Sequence, residues 1–238
     1  MTRDMLARLL ALQAAGGAFV VASDVETGAM ALLADDEASG DFEPDTAVRE
    51  AAGRALASDA PVLAEDAAGR PVFLDVHAPP PRLIIVGAVH IAEPLTAIAA
   101  LAGYRVTIVD PRSAFASRAR FGTAEVVAAW PDEALAGLAP DARTAIVTLT
   151  HDPKLDDVAL ATALASPAFY IGCLGSRKTQ AARRARLAAA GFTEADLARL
   201  RGPVGLAIGA RTPAEIAIAI AAEMTCVRRN GALMSPGS

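Results

Sequence analysis

The amino-acid sequence predicts an α/β protein with a Rossmann-like, mostly parallel sheet, helices on both faces, and a smaller N-terminal α/β domain. In the longer second part, short runs that are apolar on both faces alternate with helical segments, as in a covered parallel sheet. Three consecutive prolines, Pro79–Pro81, separate the two parts and fit neither a helix nor a central strand. We therefore predict domains at residues 1–78 and 82–238.

The first domain is expected to be small and to contain both helices and strands. Helices are predicted at residues 3–14 and at Thr46–Ser58. Strands are predicted at AFVVASDV, AMALLA and RPVFLDVH. The stretch ADDEASGDFEPD is acidic and rich in turn residues, so we expect a loop there.

The second domain is expected to alternate strands and helices throughout. Strands are predicted at RLIIV, RVTIV, AEVVAA, TAIVTLT and AFYIGCL. Helices are predicted at Ile91–Ala102, after Pro131, at Lys154–Ala165, and from Lys178, Glu194 and Pro213.

Composition excludes several classes of protein. The net charge of -5 argues against a nucleic-acid binder, and no apolar run reaches the roughly 18 residues that a membrane span needs. Arg3, Asp4 and Arg8 interrupt the apolar start, which therefore predicts an amphipathic helix and not a signal peptide. Cys173 and Cys226 fit no metal spacing and no disulfide framework, so we expect no metal site and a cytoplasmic location.

The strand RLIIV ends in a turn, Gly87–Ala92, that resembles a dinucleotide fingerprint with one residue changed. Gly87 and Ala92 meet the first and third requirements, but Val89 replaces the glycine that lets the backbone approach a pyrophosphate. Asp110 follows Gly87 by 23 positions, close to the spacing of a ribose-binding acid. The turn predicts either a weakened NAD site or a Rossmann scaffold that does not hold pyrophosphate.

Two histidine-bearing turns follow strands of the predicted sheet. His90 lies on the first turn, and His151 with Asp152 follows the strand TAIVTLT. Open α/β sheets bind ligands at the carboxyl ends of their strands, so these side chains are expected to face one crevice.

A third turn combines features of an anion site. Gly175 and Ser176 end a strand, and Arg177 opens the following helix, where free N–H groups and the helix dipole favour an anion. Cys173 on the same strand is either a thiolate that acts as a metal-cofactor ligand or a sulfur acceptor, or a small core residue. We interpret the arginines further along this helix as a solvated basic face; they are Arg183, Arg184 and Arg186.

The last helix has a strong start. Thr212 is a helix cap, Pro213 fits the first turn, and Glu215 can bond back to the cap. Capping chemistry does not account for Arg211, which is a candidate for anion binding.

Beyond these single features, the segments RLIIVGAVHIA, GYRVTIVDPR, YIGCLGSRKT and GPVGLAIGARTPAEIA resemble the XdhC/CoxI family across about residues 82–228. These proteins are accessory factors of xanthine dehydrogenase and related molybdenum hydroxylases. Two departures stand out: the family usually has Gly-Ala-Gly-His at the first turn, where this chain has Val89, and its N-terminal glycine-rich segment is shortened here.

The resemblance implies a binding and delivery protein, and we assign no catalytic residue. Its cargo would be the molybdenum cofactor, molybdopterin with or without a nucleotide. Its partners would be an apo molybdenum hydroxylase, a cysteine desulfurase that supports cofactor sulfuration, and a second copy of the chain in a homodimer. We predict that the cofactor-binding residues are Gly87, Ala88, Val89, His90, Asp110, Arg112, His151, Asp152, Cys173, Gly175, Ser176, Arg177 and Arg211.

The alternative function is an NAD(P)-dependent oxidoreductase on the same fold. It requires a nicotinamide site and a proton donor, for which His151 is the candidate. Val89 argues against NAD(P). A nucleic-acid role for RKTQAARRAR is disfavoured by the acidic net charge and by the lack of interleaved aromatic residues.

Overall fold

A computed structural model describes residues 2–35, 37–112 and 120–229 of the chain. It divides the chain into two compact units, Met1–Pro79 and Pro80–Ser238. Their charges differ in sign. The first unit has 5 Lys and Arg against 14 Asp and Glu, a net charge of -9, whereas the second has 17 against 13, a net charge of +4.

The first unit is a five-stranded antiparallel sheet with two helices. The strand order is β3-β2-β1-β5-β4. Val20, Ala22 and Leu74 face α2, while Phe19 and Leu32 face α1, so each helix covers apolar side chains of the sheet. The elements are α1 (Arg3–Ala14), β1 (Phe19–Asp24), β2 (Met30–Ala34), β3 (Glu37–Gly40), α2 (Thr46–Ser58), β4 (Val62–Glu65) and β5 (Pro71–His77).

One sequence expectation is wrong in this unit: the acidic stretch expected to be a loop contains β3. This strand pairs with β2, from Ala34 opposite Glu37 to Ala31 opposite Gly40. Backbone pairing at a sheet edge overrides the weak strand preference of its residues. Gly40 is needed at the end of β3, because a Cβ there would lie 2.2 Å from the Met30 carbonyl oxygen.

The second unit confirms the predicted fold class. Its six-stranded sheet is parallel at every pairing between described strands, in the order β11-β10-β9-β6-β7-β8. The elements are β6 (Arg82–Val86), α3 (Ala92–Leu101), β7 (Arg105–Val109), β8 (Glu125–Val127), α4 (Pro131–Leu138), β9 (Thr144–Thr148), α5 (Pro153–Ala165), β10 (Tyr170–Cys173), α6 (Arg177–Ala189), α7 (Glu194–Ala198), β11 (Leu200–Arg201) and α8 (Pro213–Arg228).

Strand β6 shows why this sheet is covered on both sides. Leu83 and Ile85 pack into the core on the side of α3 and α8, while Ile84 and Val86 pack into the core on the side of α4 and α5. All four side chains are at most 1% exposed. Burial on both faces explains why the strand sequence is continuously apolar.

The strand order creates a crevice. From β6 the chain proceeds outward through β7 and β8, then returns to place β9 on the other side of β6. Helices α3 and α5 therefore leave neighbouring strands toward opposite faces. Ligands of open α/β sheets bind outside the carboxyl ends of strands at this switch point.

Across the part of the chain that is described, no helix combines the length and the apolar character required to cross a membrane.

Candidate functional site

A cavity of about 700 Å³ lies at the switch point between β6 and β9. Its volume falls in the usual range of small-molecule sites. The turn from β6 to α3 and the turn from β9 to α5 form most of its wall. The lining residues are Val89, His90, Ile91, Arg112, Leu149, Thr150, His151, Asp152, Pro153, Leu174 and Pro213.

The two turns meet at Gly87. This residue has φ +108°, and its N–H donates to the Val109 carbonyl at 2.8 Å. A Cβ at this position would lie 2.5 Å from Cγ2 of Thr150. Glycine is therefore required both by the backbone conformation and by the close approach of the second turn. Val89 lines the cavity on the same turn, where a dinucleotide site would have bare backbone.

Asp110 lies beneath this turn and is 0% exposed. Its Oδ2 accepts from the Ala88 N–H at 2.8 Å and from Nη2 of Arg112 at 2.8 Å, while its Oδ1 accepts from the N–H and Nε of Arg112, both at 2.9 Å. Burial acts to raise the pKa of Asp110. The bonds from Arg112 and Ala88 outweigh it, so the pKa lies below its ordinary value. Asp110 therefore holds the turn and Arg112 in place as a carboxylate.

The structure brings both histidine-bearing turns to the cavity. His90 and His151 are exposed and lie among the lining residues. Asp152 lines the cavity too, and its carboxylate accepts from the Lys154 N–H at 2.9 Å as the cap of α5. Within the described ranges no group of three or more His, Cys, Asp or Glu side chains is arranged to hold a metal ion.

The third predicted turn contributes only Leu174 to the lining. Ser176 caps α6 by accepting from the Thr179 N–H at 3.2 Å, and Gly175 precedes it with φ +134°. Arg177 and Arg211 are exposed but lie outside the cavity lining.

Cys173 lies outside the cavity as well, because its side chain is fully buried. Its Sγ lies 3.1 Å from Oε1 of Gln180, to which it donates. Burial raises the pKa of the thiol to about 11, which disfavours the thiolate. Gly202 closes this space, since a Cβ there would lie 2.9 Å from Sγ.

The prediction that Arg183 belongs to a solvated basic face is wrong. The Arg183 side chain is 2% exposed, and Nη2 donates to Oδ2 of Asp156 at 2.8 Å. The same guanidinium donates to the Leu174 carbonyl at 3.2 Å, and Asp156 accepts from the Thr150 hydroxyl. This buried pair therefore links two turns whose residues line the cavity. The sequence offered no signal for it, because Asp156 and Arg183 stand 27 positions apart.

The neighbouring arginines of α6 form ion pairs at the surface. Arg184 donates to Glu194 at 3.0 Å, and Arg186 donates to Asp157 at 2.5 Å. Both arginine side chains are more than a third exposed, so the expectation of a basic surface is met for these two alone.

Two comparisons of sequence support the resemblance. The chain is 32% identical over 164 residues to a protein of Bacillus subtilis (strain 168) described as a probable subunit of xanthine dehydrogenase, covering 68% of this chain and 48% of that protein. It is 30% identical over 147 residues to the molybdenum cofactor insertion chaperone PaoD of Escherichia coli (strain K12), covering 62% of this chain and 40% of that protein. The chain thus spans less than half the length of these relatives.

A comparison of structures and a family model agree with the two sequence comparisons. The crystal structure of a xanthine dehydrogenase from Bacillus halodurans matches with a TM-score of 0.75 and 26% identity, covering 96% of this chain and 67% of the other. Residues 83–224 match the family model described as the XdhC Rossmann domain. Since that match includes more than half of the sequence and the whole crevice, the chain belongs to the XdhC family.

Proposed function

We propose that the protein binds the molybdenum cofactor in the crevice between β6 and β9 and delivers it to an apo molybdenum hydroxylase. The observation that carries this proposal is the position of the cavity at the switch point of an XdhC Rossmann domain. The two relatives, one described as a molybdenum cofactor insertion chaperone and the other as part of a xanthine dehydrogenase, support the same role.

The lining of the cavity fits a flat ring system with an anionic end. Val89, Ile91, Leu149 and Leu174 provide apolar walls. Arg112 provides a guanidinium, whose positive charge attracts a phosphate. Helix α3 begins beside it with no side-chain cap among the described residues, so its first N–H groups favour an anion.

The resemblance supplies finer parts of the proposal. A cysteine desulfurase would sulfurate the cofactor while this protein holds it, and two copies of the chain would form the homodimer that presents it. Ser176, Arg177 and Arg211 would then contact the part of the cargo that extends beyond the cavity. These roles suit exposed side chains next to the lining residues Leu174 and Pro213.

The oxidoreductase alternative meets two obstacles in the crevice. Val89 stands where a pyrophosphate needs bare backbone, and Asp110 is fully buried where a dinucleotide site presents a carboxylate to ribose. We therefore expect weak or absent binding of NAD and NADP. Titration of both by calorimetry checks this expectation, and micromolar affinity for either one would contradict it.

Deletion of the gene tests the proposed function. We expect lower activity of the client hydroxylase and less bound molybdenum, because the apoenzyme accumulates without delivery. Reintroducing the wild-type gene should restore both quantities. Full activity with a full metal complement in the deletion strain would reject the proposal. Mass spectrometry of ligand that copurifies with the protein identifies the cargo directly.

A further inference from the structure

The end of the crevice beside β7 differs from an ordinary dinucleotide site in the hydrogen bonding of its carboxylate. In a dinucleotide site, the acid after the second strand accepts hydrogen bonds from ribose hydroxyls. Asp110 occupies that position, but four donors of the protein already bond to its two oxygens at 2.8 to 2.9 Å. A carboxylate offers about four acceptor sites, so Asp110 is saturated.

Access to Asp110 leads to the same conclusion. The residue is 0% exposed, whereas the Arg112 side chain that bonds to it is 43% exposed and lines the cavity. A ligand that approaches Asp110 therefore meets the Arg112 guanidinium first, and the other carboxylate of the lining, Asp152, belongs to the turn after β9. A ribose diol could reach Asp110 only by displacing Arg112 from an ion pair with a 2.8 Å contact.

We propose that Arg112 is a specificity-determining residue that excludes a ribose cis-diol from the crevice and selects a ligand ending in a phosphate monoester. The inference rests on the proposed function for the identity of the cargo. Within that function, this role of Arg112 means that the chain binds molybdopterin that ends in its phosphate. It excludes the form extended by a nucleotide, whose ribose carries a free diol.

The charges around Arg112 agree with this assignment. Asp110 and Asp152 both act on the guanidinium, and the Arg112 pKa is raised, chiefly by its hydrogen bonds to Asp110, so it stays charged. Asp110 is neutralised by that pair, and Asp152 caps α5. A phosphate monoester can accept a hydrogen bond from the Arg112 guanidinium beside Asp110. A neutral diol would instead need the Asp110 carboxylate as its acceptor, and that carboxylate is already occupied.

The test is a set of full-length variants titrated by calorimetry with ADP-ribose, which carries a pyrophosphate and free ribose diols. Arg112→Ala uncovers Asp110, which keeps its bonds to two backbone N–H groups. Val89→Gly opens the turn, and the double variant combines both changes. Arg105→Ala is the control, because it removes an equal charge from the opposite end of β7. Thermal unfolding verifies that each variant is folded.

We expect Arg112→Ala to bind ADP-ribose about tenfold or more tightly than wild type, the effect of one regained charge-assisted hydrogen bond, with the largest gain in the double variant. Arg105→Ala should match wild type. Equal binding of ADP-ribose by wild type, Arg112→Ala and the double variant would overturn the inference, as would micromolar binding by wild type.

The same proteins are also tested for retention of molybdenum cofactor released from a hydroxylase. If wild type retains no cofactor while Arg112→Ala gains ADP-ribose binding, the proposed cargo is wrong and the role of Arg112 stands. If wild type retains cofactor but the variants gain nothing, the role of Arg112 is wrong and the proposed function stands.

Discussion

The two units of this chain use charge in different ways. The first unit has a net charge of -9, and each ion pair described in it has at least one partner that is more than half exposed, such as Arg8 with Glu37, which are 37% and 76% exposed. The second unit has a net charge of +4, and its Asp156–Arg183 pair is 2% exposed on both sides. Charge in the first unit therefore mainly faces water, whereas buried charge in the second holds turns of the binding crevice.

The largest effect should follow from breaking the buried pair. Arg183→Met leaves Asp156 as an unpaired buried carboxylate, and we expect a loss of about 3–5 kcal/mol in the free energy of unfolding. Urea unfolding followed by fluorescence measures it, because Trp130 is the single tryptophan of the chain and lies in the second unit.

The matched control is the surface pair of the first unit. Glu37→Gln removes one partner from a pair that is mostly exposed, so the loss should stay below about 1 kcal/mol by circular dichroism. Similar losses for Arg183→Met and Glu37→Gln would remove the contrast between the units.

Alanine in place of glycine should have opposite effects in the two units. Gly87→Ala places a Cβ 2.5 Å from Thr150 at φ +108°, and we expect a loss of about 1–3 kcal/mol together with weaker cofactor binding. Gly53→Ala lies on the exposed side of α2 with open space around it, and we expect a gain of about 0.5–1 kcal/mol. Thermal unfolding of the two variants checks the signs, and a stabilised Gly87→Ala protein would disprove the role of this turn.

Arg177, at the start of α6, allows a test within the second unit. Arg177→Ala should weaken binding of molybdopterin by about tenfold to a hundredfold, the effect of one charge-assisted hydrogen bond. Arg184→Ala is the control, because Arg184 already bonds to Glu194 and to the Leu197 carbonyl. Equal affinities of these two variants would place the anion elsewhere.

The smallest effect concerns pH in the acidic unit. The N–H groups of Ala67 and Val48 donate to Asp45 and hold its pKa below the ordinary value of 3.8. Its stabilisation is therefore present above that value and is lost as the pH falls through the lower folded pKa. Asp45→Asn keeps the helix cap but not the charge. We expect wild type to exceed this variant in unfolding temperature at about pH 6, with a gap that narrows toward about pH 3.

The pH dependence of stability that Asp156 contributes in the second unit should run in the opposite direction to that of Asp45. Burial raises the pKa of Asp156 above the ordinary value in spite of Arg183 and Thr150, so its contribution favours the folded state at low pH and is lost as the pH rises through the folded pKa. A gap between wild type and Asp45→Asn that widens on acidification would contradict the assignment for Asp45.

Local sequence patterns predicted most elements, and the exceptions have a common physical cause. The strands around β6 and helix α2 were predicted because their apolar periodicity is strong over five or more residues. Strands β3 and β4 have only four residues each and weak strand preference, and they form because a neighbouring strand offers backbone partners. Arg183 was misjudged because its partner Asp156 is distant in sequence.

Local sequence is sufficient to predict the proline break, the alternation of strands and helices, and the glycine turn with its valine, because these depend on backbone preferences over a few residues. Which side chains come into contact depends on the folding of the whole chain. It brought His90 and His151 to one cavity through the pairing of β6 with β9, and it joined Asp156 to Arg183. It also buried Asp110 beneath Arg112. Such contacts depend on burial and strand order across many residues, which local propensity does not predict.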